Sequence, residues 1–172
     1  MGPNAADQAL TTPSVSPAGK AEPPRGNVSL KTDDKGRLKL PPQFVKYLQA
    51  LGDTVVFITT LDKRSVRIYP LTKWREAEAW MQSPEVDPAA AERLWNIAYH
   101  WGGESEIDDQ ARILLPGCLR QLFGLVKADV HLCPKRTGRF DLLTDSAYAL
   151  LQEDSEAHNR NDIELANKYR MP

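Results

Sequence analysis

Several residue types and patterns that mark common protein functions are scarce or missing in this sequence. Among its 172 residues two are cysteine and three are histidine, and they do not follow the spacing of a metal site. No glycine-rich phosphate loop is present, and no histidine has an acid or a nucleophile at the spacing of a catalytic motif. No apolar run approaches the ~18 residues of a membrane-spanning helix, and no signal peptide is visible. We therefore expect a cytoplasmic protein that is not an enzyme, needs no metal or cofactor, and makes no membrane contact.

Apolar residues are also scarce at the start of the chain. Residues 1–26 contain one leucine and no aromatic residue, but five prolines. Such a composition cannot bury enough apolar surface to offset the entropy that is lost on ordering. We therefore predict a disordered tail, rich in proline, alanine and serine, over residues 1–25.

Charge is nearly balanced overall but is unevenly distributed. The formal net charge is −1, yet residues 27–83 hold 10 Lys+Arg against 6 Asp+Glu, whereas residues 84–172 hold 10 against 15. The basic first half permits an anionic partner. The overall pI of 6.3 is nevertheless below the value of about 9 that compact nucleic-acid-binding domains often exceed. Any phosphate contact must therefore come from a local cluster of cations, or from clusters summed over several subunits.

An internal repeat is the most informative pattern in the chain. Residues 33–41 read DDKGRLKLP, and residues 108–116, 75 positions later, read DDQARILLP. Without a gap, 7 of the 36 positions that begin at residue 33 are identical in the second copy, against about two expected from ordinary residue frequencies. Each copy predicts an acidic turn, an arginine, a short strand and a proline that opens a helix. The same alignment pairs apolar positions of similar type: Phe44 with Leu119, Leu48 with Phe123, Phe57 with Leu132, and Ile68 with Leu143.

Hydrophobic periodicity and turn residues predict the same order of elements in both halves. The first half is expected to contain strands over 27–32 and 37–40, a helix that ends at Gly52, a hairpin over 54–69, and a helix capped by Thr72. The second half is expected to contain strands over 104–107 and 112–115, a helix over 117–123, a hairpin over 129–143, and a helix capped by Thr144 or Asp145. The domain boundaries that follow are 26–82 for the first repeat and its helix, 83–102 for a linker helix capped by Asp87, 103–155 for the second repeat, and 156–172 for a polar helix or tail.

The repeated residues carry a resemblance to a known family. The pattern Asp-x-x-x-Arg, followed four residues later by proline, occurs at both copies, and Tyr69-Pro70 is followed by Trp74. Over about residues 26–150 the chain resembles the MraZ family, transcriptional regulators of the bacterial division and cell-wall gene cluster. The resemblance implies an α+β fold in which two SpoVT/AbrB-type swapped-hairpin repeats complete a split β-barrel around a pseudo-twofold axis, with helices outside. It also implies a nucleoid-associated, ring-shaped homo-oligomer that binds tandem repeats in double-stranded promoter DNA.

The first turn is the predicted DNA contact. Lys35, a free backbone N–H of Gly36, and Arg37 would stand at a protruding edge, and Lys39 would face the same side by strand alternation. Such a cluster attracts phosphates, and Arg37 could form a bidentate contact with the O6 and N7 atoms of a guanine. Arg112 is the corresponding candidate in the second copy, where Gln110-Ala111 replaces the glycine-bearing turn. One turn offers few contacts, so useful affinity requires several turns side by side.

Two alternatives stay open at the sequence level. In a structural interpretation, Asp33 pairs with Arg37 across its turn and Asp108 pairs with Arg112, and both pairs hold their turns in shape; this role can coexist with DNA contact. At the level of function, the acidic second half and the low pI also fit a ring-forming interaction scaffold without DNA binding. A third possibility is an antitoxin-like module whose acidic segment 154–172 binds another protein.

Overall fold

The computed structural model describes residues 21–171 and has a mixed α+β fold, which confirms the predicted class. The predicted tail lies outside the described residues as far as residue 20, and residues 21–25 are neither helix nor strand. The strands are β1 (Val28–Lys31), β2 (Arg37–Lys39), β3 (Val55–Thr59), β4 (Val66–Pro70), β5 (Gly103–Glu106), β6 (Arg112–Leu114), β7 (Asp129–Pro134) and β8 (Phe140–Thr144). The helices are α1 (Pro42–Leu51), α2 (Leu71–Met81), α3 (Pro88–Trp101), α4 (Gly117–Phe123) and α5 (Asp145–Lys168).

Strand pairing links the two halves of the chain. Six strands form one antiparallel sheet in the order β1-β7-β8-β4-β3-β5, and β2 pairs separately with β6. Because β1 pairs with β7 and β5 pairs with β3, the first strand of each half extends the hairpin of the other half. Among the described strands no pairing joins β1 to β5, so the sheet does not close through these ladders.

Apolar side chains of the sheet alternate between two cores. The inner core lies under the β2-β6 ladder and contains the ring of Phe44 from α1, whose centroid is 4.8 Å from that of Phe140 in an edge-on contact. The outer core lies on the opposite face, where Phe57 of β3 stacks on Trp74 of α2 and Ala98 of α3 packs nearby. Alternation along the strands therefore separates the surface that carries the ladder from the surface covered by α2 and α3.

The ungapped repeat alignment is wrong beyond the first helix of each half. Helix α4 has 7 residues where α1 has 10. Ile58 lies opposite Ile68 in one hairpin and Leu132 opposite Leu142 in the other, so the corresponding positions are 74 residues apart rather than 75. A shift of one residue moves a strand side chain to the other face. Phe57, the predicted counterpart of Leu132, accordingly packs in the outer core whereas Leu132 packs in the inner core. The predicted pairing of Ile68 with Leu143 fails for the same reason.

Helix starts follow the predicted capping residues except at α2. The side chain of Asp87 caps α3 and that of Thr144 caps α5, as expected. Thr72 does not cap α2. Instead, its N–H and its hydroxyl donate to the carboxylate of Asp53, at 3.1 and 2.9 Å. The first turn of α2 is therefore stabilised by a residue 19 positions earlier, a contact that local sequence does not reveal.

Candidate nucleic-acid interface

The carboxylate of Asp33 organises the turn that precedes β2. Its Oδ1 accepts the N–H groups of Lys35 and Arg37 at 2.9 and 2.8 Å, and its Oδ2 accepts Nε of Arg37 at 2.5 Å. These donors lower the pKa of Asp33 to about 2, and the backbone N–H of Arg37 makes the largest contribution. The ion pair between Asp33 and Arg37 that the structural interpretation requires is therefore present.

The N–H of Gly36 is not free, contrary to the prediction. It donates to the carbonyl of Asp33 at 3.1 Å, and the carbonyl of Gly36 accepts the N–H of Leu115 at 3.2 Å. Gly36 has a φ of +73°, in the left-handed region that favours glycine. Its role in the described turn is therefore to close the turn rather than to offer a donor at the edge.

The second turn has the same hydrogen bonds although it lacks glycine. The carboxylate of Asp108 accepts the N–H groups of Gln110 and Arg112 at 2.9 Å each, and Nε of Arg112 at 2.8 Å. The backbone N–H of Arg112 is the main cause that lowers the pKa of Asp108. Ala111 occupies the glycine position with a φ of +57°, a conformation that costs an L-residue about 1–2 kcal/mol. Replacement of glycine by alanine therefore keeps the turn geometry and adds local strain.

The β2-β6 ladder brings the predicted site residues of both turns together. Lys39 lies directly opposite Arg112, and Arg37 is two residues before Lys39 on the same strand. The intervening residues, Leu38 and Ile113, are buried in the inner core. Side chains alternate along a strand, so Arg37, Lys39 and Arg112 share the outward face. Like charges directly opposite each other are unfavourable by themselves, and an anion bound at this face would relieve that repulsion.

Each arginine of the ladder uses only part of its hydrogen-bonding capacity. Nε of Arg37 and of Arg112 donates to the aspartate of its own turn, and no other described residue accepts from their terminal nitrogens. Their side chains are 28% and 26% exposed. Because a guanidinium has five N–H donors in a rigid plane, an aspartate on Nε orients the group and leaves donors for an external acceptor. Pairing within the turn is therefore compatible with contact to a ligand.

Arg120 of α4 is a residue of this region that the sequence did not predict. Its Nη1 donates to the carbonyl of Lys35 at 3.0 Å, and a Cβ atom on Gly36 would lie 2.1 Å from its Cδ. Val45 holds the corresponding position in α1. The N–H of Val45 donates to the carbonyl of Pro41, and the N–H of Arg120 donates to the carbonyl of Pro116, the prolines that precede the two helices. The first turn is therefore buttressed by an arginine that has no counterpart at the second. No local sequence signal marks this contact, because its partners are 85 residues apart.

Residues 21–171 contain neither a cluster of metal-binding side chains nor a helix that could span a membrane. In that range no group of three or more histidine, cysteine, aspartate or glutamate residues is gathered as a metal site would require. None of the helices described is both long enough and apolar enough to cross a membrane. The oxygens of Asp33 and Asp108 are engaged by N–H groups of their own turns.

Known proteins similar to this chain include several that are named transcriptional regulator MraZ. No protein-family model matches the chain. The transcriptional regulator MraZ of Koribacter versatilis is 32% identical over 99 residues, which cover 56% of this chain and 67% of that protein. The protein of the same name from Acidobacterium capsulatum is 39% identical over 98 residues, 56% of this chain and 66% of the relative. The MraZ of Shewanella frigidimarina is 27% identical over 149 residues, 86% of this chain and 95% of the relative. The chain thus spans about two thirds of the first two relatives and nearly all of the third.

Proposed function

This chain belongs to the MraZ family, and we propose that it is a transcriptional regulator that binds double-stranded DNA in a sequence-specific manner. The observation that carries the proposal is the shared outward face of Arg37, Lys39 and Arg112 on the β2-β6 ladder. The relatives compared above are named transcriptional regulators, which supports a regulatory role. By the resemblance, promoter repeats of the division and cell-wall gene cluster are the expected target.

The dimensions of the ladder fit the major groove of DNA. Each strand contributes three residues, so the ladder is about 10 Å long at about 3.3 Å per residue. The major groove is about 12 Å wide and admits a two-stranded ribbon. If the outward face of the ladder enters the groove, the terminal nitrogens of Arg37 and Arg112 face the base edges, where arginine pairs with guanine. Lys35 and Lys39 then contact phosphates.

The mixed charge of the ladder region favours binding by several copies at once. The two turns and their strands carry four positive and four negative side chains. The positive ones are Lys35, Arg37, Lys39 and Arg112, and the negative ones are Asp33, Asp34, Asp108 and Asp109. One ladder therefore attracts DNA only weakly. Several ladders on one homo-oligomer would bind tandem repeats with much higher avidity without new contacts. We extend the proposal to a homo-oligomer, of ring shape by the resemblance, that acts in the cytoplasm at the nucleoid.

The fold proposal extends the same symmetry. The first strand of each half pairs with the hairpin of the other half, which is the exchange expected of two swapped-hairpin repeats. We propose that these ladders, together with β2-β6, form the split barrel of that arrangement, with α2, α3 and α5 outside it.

Salt-dependent DNA binding tests the proposed function. The probe is a duplex of tandem promoter repeats, compared with a duplex of the same composition in scrambled order, by fluorescence anisotropy at several salt concentrations. We expect preference for the repeats and a linear fall of log K with log salt. Affinity that is weak, or insensitive to both salt and sequence, would refute DNA regulation and favour the interaction scaffold.

Two variants that each lack one arginine then test the ladder itself. Arg37→Ala should abolish specific binding, because a bidentate arginine–guanine contact contributes about 1–3 kcal/mol for each subunit. Arg136→Ala is the matched control, since it removes the same charge from the exposed turn between β7 and β8. Sedimentation should show the same oligomer for both variants and the unchanged protein. If the Arg37→Ala oligomer dissociates instead, the arginine acts as a structural residue.

A further inference from the structure

A cavity lies on the outer face of the sheet, on the side away from the β2-β6 ladder. It has a volume of about 330 Å³ and is bounded by α2, α3, β4 and the turn between β7 and β8. Small-molecule sites in proteins usually begin at about 300 Å³, and they are mostly apolar with a few convergent polar groups. The cavity therefore has the size of a site for a small ligand.

The walls of this cavity are largely aromatic and aliphatic. Trp74 and Met81 of α2 are buried at one wall, and Ala98 of α3 is buried at another. Tyr69 of β4 makes an edge-on contact with the ring of Trp74, at 5.1 Å between centroids. Trp80 also lines the cavity but is 55% exposed. These surfaces favour a flat aromatic body, because offset or edge contacts between rings are favourable.

The charged residues of the cavity are mostly positive. Arg67, Lys73 and Arg139 line it, with Glu76 as the one acidic residue among the lining side chains described. Each cation has a carboxylate partner, as in the 3.1 Å contact from Nη2 of Arg67 to Asp62. These partners balance the three cations, so the case for a ligand with negative charge rests on a donor of Arg67 that no carboxylate uses.

Arg67 also has a donor that the protein leaves unused. Its Nε is buried and has no hydrogen-bond acceptor among the described residues. Buried polar groups in proteins nearly always have a partner, and a buried donor without one is unfavourable. An acidic group in the cavity beside Arg67 would supply the missing acceptor and would form a charge-assisted hydrogen bond.

From this combination we infer that the cavity binds a small aromatic molecule that carries one acidic group. The aromatic body packs between Tyr69, Trp74 and Trp80, and the acidic group accepts a hydrogen bond from Arg67, with Arg139 nearby. The site lies across the sheet from the ladder and uses none of the residues proposed to contact DNA. Its existence therefore does not depend on the proposed regulatory function.

Two probes that differ in one charge test this inference. The first is 8-anilinonaphthalene-1-sulfonate, and the second is N-phenyl-1-naphthylamine, which has the same aromatic body without the sulfonate. Titration of the full chain should show one saturable sulfonate-probe site per chain, with quenching of tryptophan fluorescence because Trp74 and Trp80 line the cavity. The neutral probe should bind at least tenfold more weakly. Absence of saturable binding, or equal affinity for the two probes, would overturn the inference.

Matched variants locate the bound probe. Arg67→Met should weaken the sulfonate probe at least tenfold and change the neutral probe less than threefold, whereas Arg75→Met, on the exposed side of α2, should change neither. Ala77→Phe should fill the cavity and remove both probes. If Arg67→Met alters the near-ultraviolet circular dichroism, and hence the folded structure, Arg139→Met replaces it as the variant that removes a positive charge from the cavity. Equal binding of the sulfonate probe by all these variants would place it on another apolar surface and would refute the site.

The two proposals can fail separately. The Arg37→Ala chain should bind the sulfonate probe as the unchanged protein does, because Arg37 does not line the cavity. Loss of DNA binding with full probe binding would support both proposals, while full DNA binding without probe binding would refute the cavity site alone.

Discussion

Replacement of Gly36 by alanine tests the origin of the difference between the two turns. Gly36 has a φ of +73°, and a Cβ atom there would approach Cδ of Arg120 to 2.1 Å and its Cγ to 3.0 Å. Ala111 occupies the same place in the second turn with a φ of +57°. The two turns therefore share a backbone conformation but differ in the neighbour that packs against it.

The expected effect follows from three contributions. A left-handed alanine costs about 1–2 kcal/mol, and the smaller entropy of the unfolded alanine chain offsets about 0.4–1 kcal/mol of this. Displacement of Arg120 also removes its hydrogen bond to Lys35, which contributes about 0.5–1.5 kcal/mol. Gly36→Ala should therefore lower the free energy of unfolding by about 1–2 kcal/mol. The same change in an Arg120→Ala background should cost about 0.5–1 kcal/mol, since only the backbone contributions remain.

Urea unfolding at one fixed protein concentration measures these differences, because association with other copies would otherwise change the apparent stability. Ala111→Gly is the reverse change, and it should raise the free energy of unfolding by about 0.5–1 kcal/mol as strain is relieved. An equal cost of Gly36→Ala with and without Arg120 would refute the role of the buttress. A destabilising effect of Ala111→Gly would refute the assignment of strain to that position.

Three further perturbations test the turn, the core and a helix start. The pKa of Asp33 is lowered to about 2 in the folded chain. Its contribution to stability is therefore present above the ordinary value near 4 and is lost as pH falls from about 4 to about 2. The Asp33→Asn variant should lose less stability than the unchanged protein over that range, and an identical pH profile of the two would contradict the assignment. Phe140→Ala should lower the free energy of unfolding by about 3–5 kcal/mol because its ring is fully buried against Phe44, and a loss below about 1 kcal/mol would show that the core is not packed as described. Asp53→Ala should cost about 1 kcal/mol through loss of its bonds to Thr72, whereas Thr72→Val, which keeps the N–H, should cost less.

Much of the local structure could be predicted because it depends on nearby residues. The turn at Asp33 forms from groups no more than four positions apart, and the cap at Asp87 reaches a residue three positions away. The predictions that fail concern features that depend on contacts between residues distant in sequence. Helix α4 is three residues shorter than α1 and the connection after it is two residues longer, so the second hairpin shifts by one position. The contact of Asp53 with Thr72 crosses the first hairpin.

Each Asp-x-x-x-Arg pattern by itself determined its turn and the ion pair within it, because these hydrogen bonds join residues no more than four positions apart. The family resemblance required more of the sequence, namely two copies in register and Tyr69-Pro70 followed by Trp74. Tertiary structure alone decided that the two patterns form one surface. Pairing of β2 with β6 places Lys39 opposite Arg112, although the two residues are far apart in sequence. The packing of Arg120 against Gly36 makes the turns unequal. These contacts depend on which strands and helices meet, and that is set by burial of the two cores rather than by any local pattern.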